Sequence, residues 1–226
     1  MNKPIVELID LSHVVEDGLV TYPGLPAPVI TDFLSREDSR KLYSPGTEFH
    51  LGKIEMAANT GTYIDSPFHR FAGGADLVGI SLEKLVNLPG IVVSVDDSNG
   101  RAVDIQGLNP KTLGGKAVLI HTGWSRYWNT ERYFGDYPYL TGESAEFIRD
   151  AGAVLVGIDS LNIDDNGDGS RPVHTTLLEA GILIVEHLTN LGSIPKKDFL
   201  FSAVPVKVRG LGSFPVRAFA QVTSSK

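Results

Sequence analysis

The chain has 226 residues, 42% hydrophobic and 21% charged, with a formal net charge of −7 and no cysteine. This length and balance suit one self-folding domain over residues 1–226 and exclude a disordered chain. The negative charge, with basic residues scattered singly or in pairs, argues against nucleic-acid partners, and no run approaches the roughly 18 apolar residues of a membrane span. Without cysteine, any bound metal must be held by nitrogen and oxygen. Met1–Glu7 lacks the apolar core of a secretory signal, so a cytoplasmic location is expected.

In chain order, β-branched or alternating runs predict strands over 5–11, 28–33, 50–56, 90–95, 116–120, 153–159, 182–185 and 199–208. Helices are expected over 81–86, 125–133, 144–151 and 175–180. Thr141 is placed to cap the third and Gly152 to stop it, and Gly181 ends the fourth. The pattern is mixed α/β with more strand than helix, and no linker or internal repeat divides it.

Two stretches carry chemistry. Asn59-Thr60-Gly61-Thr62-Tyr63-Ile64-Asp65-Ser66-Pro67-Phe68-His69 packs small, polar and turn-forming residues after a strand, so Asp65 and His69 would project from a rigid loop. Taken alone, the pair reads more readily as a capping aspartate and a surface histidine. Downstream, His174 opens a short helix that leads into an apolar strand ending at Glu186. A carboxylate at the end of a buried strand needs a cation or donors, unless it is the first solvated residue beyond that strand. His187 would point the other way along the strand, as a structural residue.

These residues resemble the cyclase-like metal-dependent hydrolases, the superfamily that includes bacterial kynurenine formamidase and isatin hydrolase. The family motif is His-x-Gly-Thr-His-x-Asp-x-Pro-x-His, and this chain has Asn59, Gly61, Thr62, Tyr63, Asp65, Pro67 and His69 at the same spacing. The likeness extends to Asp10-Leu11-Ser12, Tyr22-Pro23-Gly24, Thr122-Gly123-Trp124, His174 with Glu186, and Pro215-Val216-Arg217-Ala218. It implies a swivelling β/β/α fold and a homodimer or homotetramer. Asp65, His174 and Glu186 stand at metal-ligand positions and His69 at that of the general acid and base. Asn59 and Tyr63 replace two ligand histidines; an amide oxygen binds metals weakly and a phenol must first ionise from near 10. One divalent metal per subunit is therefore expected, zinc by resemblance, with manganese the alternative.

The expected reaction is hydrolysis of a small carbonyl compound: a cyclic amide, a lactone or, as in an arylformamidase, an N-formyl amide. The alternatives are a lyase or cyclase with Tyr63 as proton donor, and an inactive homologue that binds a small molecule. Tyr22, Phe68, Phe71 and Trp124 are candidates for an apolar pocket lining, with Phe71 favoured for the core. His50 and His121 are outer candidates for the pocket. Asp164-x-Asn166-x-Asp168-Gly169 copies the opening of a calcium loop, but Thr175 stands where that loop needs a glutamate. No serine-hydrolase elbow, phosphate loop or dinucleotide fingerprint is present.

Overall fold

A computed structural model describes residues 5–95 and 100–224; the leading residues 1–4 of the stretch read above for a signal lie outside them. The strands are β1 (Ile5–Asp10), β2 (Val29–Leu34), β3 (Leu51–Glu55), β4 (Tyr63–Asp65), β5 (Leu88–Ser94), β6 (Ala102–Val103) and β7 (Ala117–His121). They continue with β8 (Tyr139–Leu140), β9 (Leu155–Ile158), β10 (Leu183–Glu186), β11 (Phe199–Ser202), β12 (Ser213–Pro215) and β13 (Phe219–Ser224). The helices are α1 (Arg36–Ser39), α2 (Gly142–Asp150) and α3 (Pro172–Glu179). One mixed sheet runs β1-β13-β11-β5-β7-β9-β10-β4-β12, with two-stranded pairs β2-β3 and β6-β8 beside it.

The centre of the sheet is parallel, β5-β7-β9-β10, and its strands read as unbroken apolar runs because both faces are covered. Alternation sorts their side chains. Val118, Ile120, Val156, Ile158 and Ile184 pack with Ile148, Val173 and Leu177 of α2 and α3. Ala117, Leu119, Leu155, Leu183 and Val185 face the opposite core with Leu11, Ile64, Phe201 and Ala220. Gly157 also faces that core, where a Cβ would come within 2.5 Å of Leu188 Cδ1 and 2.8 Å of Leu119 Cδ2.

The predicted cap and stop of the third helix are present: Thr141 Oγ1 accepts from Ser144 N, and Gly152 sits at φ 77°. α3 begins three residues earlier than the sequence suggested, with Pro172 at its first position. The expected helix over 125–133 is instead two 3₁₀ turns, Trp124–Tyr127 and Glu131–Phe134, separated by Asn129 at φ 57°, a conformation no right-handed helix continues through. Likewise 81–86 contains one 3₁₀ turn, Leu82–Lys84. The strand expected over 199–208 stops at Ser202; Pro205, with no N–H for a ladder, makes only an isolated bridge to Val216.

β2 and β3 form an arm outside the main sheet, with a register slip between Asp32 and Leu34. Val29, Ile30, Phe33, Phe49, Leu51 and Ile54 are all exposed on it, Phe33 at 76%. Among the described residues no helix is long and apolar enough to cross a membrane.

Candidate active site

The site forms where β4 is clasped between β10 and β12. Tyr63 stands opposite Glu186 and Pro215, and Asp65 opposite Ile184 and Ser213. Residues opposite one another across an antiparallel ladder share a face, so Tyr63, Asp65, Glu186 and Ser213 all point to the helical side of the sheet while Ile64 fills the other core. α3 lies over that face and brings His174 down onto it. Asp65 and His69 were expected on one loop. Asp65 is in fact a strand residue, paired on both edges, and His69 belongs to the 3₁₀ turn Pro67–His69 that follows.

Gly212 permits this turn to lie against β12, since any Cβ there would overlap the backbone of His69. Ser213 then links Asp65 and His69. Its hydroxyl donates to Asp65 Oδ1 and lies 2.9 Å from His69 Nδ1. Having spent its one proton on Asp65, Ser213 accepts from His69 Nδ1–H, so the neutral imidazole keeps its Nε2 lone pair. Asn59 donates a longer bond of 3.4 Å to the same Asp65 oxygen. The side chain of His69 is 37% exposed, whereas that of Asp65 is fully buried.

His174 is held from behind. Asp164 accepts from Val173 N at 2.8 Å and His174 N at 3.0 Å, capping α3, and from His174 Nδ1 at 2.6 Å. A carboxylate only accepts, so Nδ1 carries the proton and Nε2 faces the site. Nε2 lies 3.7 Å from Asp65 Oδ2 and 3.8 Å from Glu186 Oε1. Glu186 takes a 2.6 Å hydrogen bond from Ile163 N on Oε1 and one from the Tyr63 hydroxyl on Oε2. Among the described residues Asp65, His69 and His174 form a potential metal group, with one donor atom of each within 4.8 Å of the others, and Glu186 Oε1 lies 3.8 Å from His174 Nε2.

The electrostatics favour a positive charge at this point. Burial alone would lower the His174 pKa, but Asp164, Asp65 and Glu186 lift it to about 10. Burial opposes ionisation of Asp65 too, yet His174, His69 and Ser213 hold its carboxyl below the usual range. Burial raises Glu186 to about 7. Burial, with Glu186 and Asp65 nearby, pushes Tyr63 far above an ordinary phenol, so its proton stays and serves as the donor to Glu186.

A cavity of about 290 Å³ opens onto Tyr63, His69, His174 and Glu186, with Tyr22 in its wall. Of the other candidate linings, Trp124 lies in a separate aromatic cluster, Phe71 packs on the α2–α3 core, and Phe68 does not reach the cavity. His50 pairs with Asp32 on the exposed arm and His121 lies beside Asp159, both away from the cavity. His187 is buried against Tyr133 and Trp128. The sequence reading missed Asp164, which it met only as the start of a calcium-like loop, and Ser213, which no local pattern marks. The spacing of Asp164 ten residues before His174 was the one available signal.

Residues 9–165 match a family profile described as putative cyclase, and the chain belongs to that family. Its relatives include the kynurenine formamidase of Bacillus cytotoxicus, 28% identical over 213 residues covering 94% of this chain and 96% of that protein. That of Geobacillus thermodenitrificans is 29% identical over 212 residues, covering 93% and 95%. Among solved structures, one described as a potential metal-dependent hydrolase with cyclase activity superposes with a TM-score of 0.78 at 25% identity, covering 98% of this chain and all of that one. Isatin hydrolase A of Ralstonia solanacearum has a TM-score of 0.80 at 20% identity, over 96% and 92%, a likeness of fold. The chain is a hydrolytic enzyme of the cyclase family.

Proposed function

We propose that the chain hydrolyses a small carbonyl compound of the cyclic amide, lactone or N-formyl amide class, with one divalent cation held by Asp65, His174 and Glu186. The observation that carries this reading is Asp65 Oδ2, buried without any hydrogen-bond donor and facing His174 Nε2 at 3.7 Å. An orphaned anionic oxygen beside a ring nitrogen is a costly arrangement that a cation relieves. One nitrogen and two carboxylate donors suit zinc, and manganese next. When bound, the cation would supply Lewis acidity, polarising a carbonyl and making water acidic enough to ionise near neutral pH.

The remaining work falls to side chains. His69 Nε2, unprotonated in the neutral ring and open to the cavity, takes a proton from water and returns it to the leaving group, while the Asp65–Ser213 chain holds the ring's tautomer. Tyr63 fixes Glu186 and has no proton free for an enolate, which favours hydrolysis over a lyase reaction. The exposed apolar arm supports assembly as a homodimer or homotetramer. Elemental analysis of purified protein, with turnover of an N-formyl arylamine in ¹⁸O-labelled water, tests the reading: metal at one per chain and label in the product are expected. A metal-free, unresponsive protein refutes it.

The closeness of His69 to Asp65 and His174 favours a second reading, in which His69 is the third ligand. His69→Ala separates the two. Loss of turnover with metal retained supports His69 as the base, and loss of the metal supports it as a ligand.

A further inference from the structure

Two arginines stand in the wall of the active-site cavity, Arg70 directly after the His69 turn and Arg171 directly before α3. Four others, Arg40, Arg101, Arg149 and Arg217, each pair with a carboxylate. Arg70 and Arg171 make no ion pair among the described residues, although the chain carries seven more acids than bases.

Both are nevertheless held in place, and by neutral acceptors. Arg171 Nη1 donates to Asn166 Oδ1 at 2.8 Å, the Asp165 carbonyl at 3.3 Å and Asn162 Oδ1 at 3.4 Å. Asn166 is itself fixed by the Tyr22 hydroxyl at 2.8 Å. Arg70 donates from Nε to Thr175 Oγ1 at 3.2 Å, and its guanidinium stands 5.3 Å from the Phe71 ring centre. Thr175 follows His174, so the Arg70 guanidinium is tethered to the first turn of α3, the turn that carries His174, whereas the guanidinium of Arg171, the residue before that helix, is held by the 162–166 loop. Each keeps N–H donors uncommitted. A guanidinium so prepared matches a planar carboxylate, which accepts two parallel hydrogen bonds from it. A carboxylate seated between them would give a direct partner to two guanidinium groups that have no carboxylate within ion-pair distance among the described residues, in a cavity of about 290 Å³.

We propose that Arg70 and Arg171 form a carboxylate-recognition wall, so that the substrate is an acid whose carboxylate lies remote from the carbonyl that is hydrolysed. This rests on the hydrolase reading for its reaction but is tested by binding alone. The probes are 3-phenylpropionate and 3-phenylpropionamide, alike in size and differing in charge, titrated calorimetrically into the protein as purified and again after dialysis against EDTA.

The acid is expected to bind about 10- to 100-fold more tightly than the amide in both preparations, with a preference that shrinks as salt rises. In Arg70→Gln and Arg171→Gln, and most fully in the double variant, that preference should collapse, while Arg171→Lys, which keeps the charge without the fork, retains part of it. Equal affinity for the two probes, no measurable binding of the acid, or a preference that disappears with EDTA overturns the proposal, because the last outcome assigns the carboxylate to the metal. The preference in unsubstituted protein is decisive even if a variant misfolds. Failure of label incorporation in the hydrolysis test sinks the reaction and leaves this result standing.

Discussion

Asp164 is the residue on which α3 and His174 both depend, and its removal should separate folding from metal binding. Asp164→Ala deletes the acceptor for two N–H groups at the start of α3 and for His174 Nδ1. Loss of a helix cap costs about 1 kcal/mol. Loss of a hydrogen bond to a charged group costs about 1.5–3 kcal/mol. Together these come to about 3 kcal/mol, which for a chain of this size lowers Tm by roughly 6–12 °C. Asp164→Asn retains an oxygen for capping but removes the charge behind the imidazole. It should fold nearly normally and bind zinc about 10- to 100-fold more weakly, the usual effect of losing a group that orients a ligand. Urea unfolding in EDTA reads the first effect and competition with a chromophoric chelator the second. An alanine variant within about 0.5 kcal/mol of the parent, or an asparagine variant with undiminished zinc affinity, would refute the reasoning. Because unfolding is measured without metal, each half fails separately.

Tyr63→Phe removes the donor on Glu186 Oε2 and leaves a buried carboxylate half-satisfied. The Glu186 pKa should climb beyond about 7, so that protons compete with zinc at neutral pH and affinity recovers only in more alkaline buffer. Burial lowers His13 to about 4 from its ordinary 6.5, so its stabilising contribution is complete above pH 6.5 and is lost as pH falls toward 4. On the order of 3 kcal/mol is involved, and in His13→Phe, which keeps the stacking on Trp128, urea unfolding across that window should follow a shallower slope by about one proton. Gly212→Ala forces a methyl group into the backbone of His69; turnover should fall about 100-fold with an unchanged circular dichroism spectrum. Phe33→Asp puts a charge on the apolar arm and should shift the chain to monomer size in gel filtration if the arm joins subunits.

The central strands were legible because burial on both faces writes them as apolar runs, and α2 because its cap and stop are local. β12 and β13 were not, since Ser213–Pro215 is too short to show a period and the Phe219–Ser224 run gains its identity from pairing with β1. Asp65, His69, His174 and Glu186 stood out by their match to the family's motif positions, and the fold brings all four together. Which imidazole nitrogen each histidine offers was less readable, because it is decided by Asp164, in a loop ten residues before His174, and by Ser213, 144 residues from His69. The start of α3 was misjudged for the same reason, its cap coming from a loop ten residues upstream.

β4 is hydrogen-bonded along both edges, and the turn after it is not. Asp65 cannot move without dragging two ladders with it, whereas His69 rides on three residues that touch the sheet chiefly through one serine and one glycine. The scaffold thus divides into an anvil and a hammer. Altering the turn would reposition His69 while leaving in place the doubly paired strand that carries Asp65, so one half of the site can change on this frame without rebuilding the other.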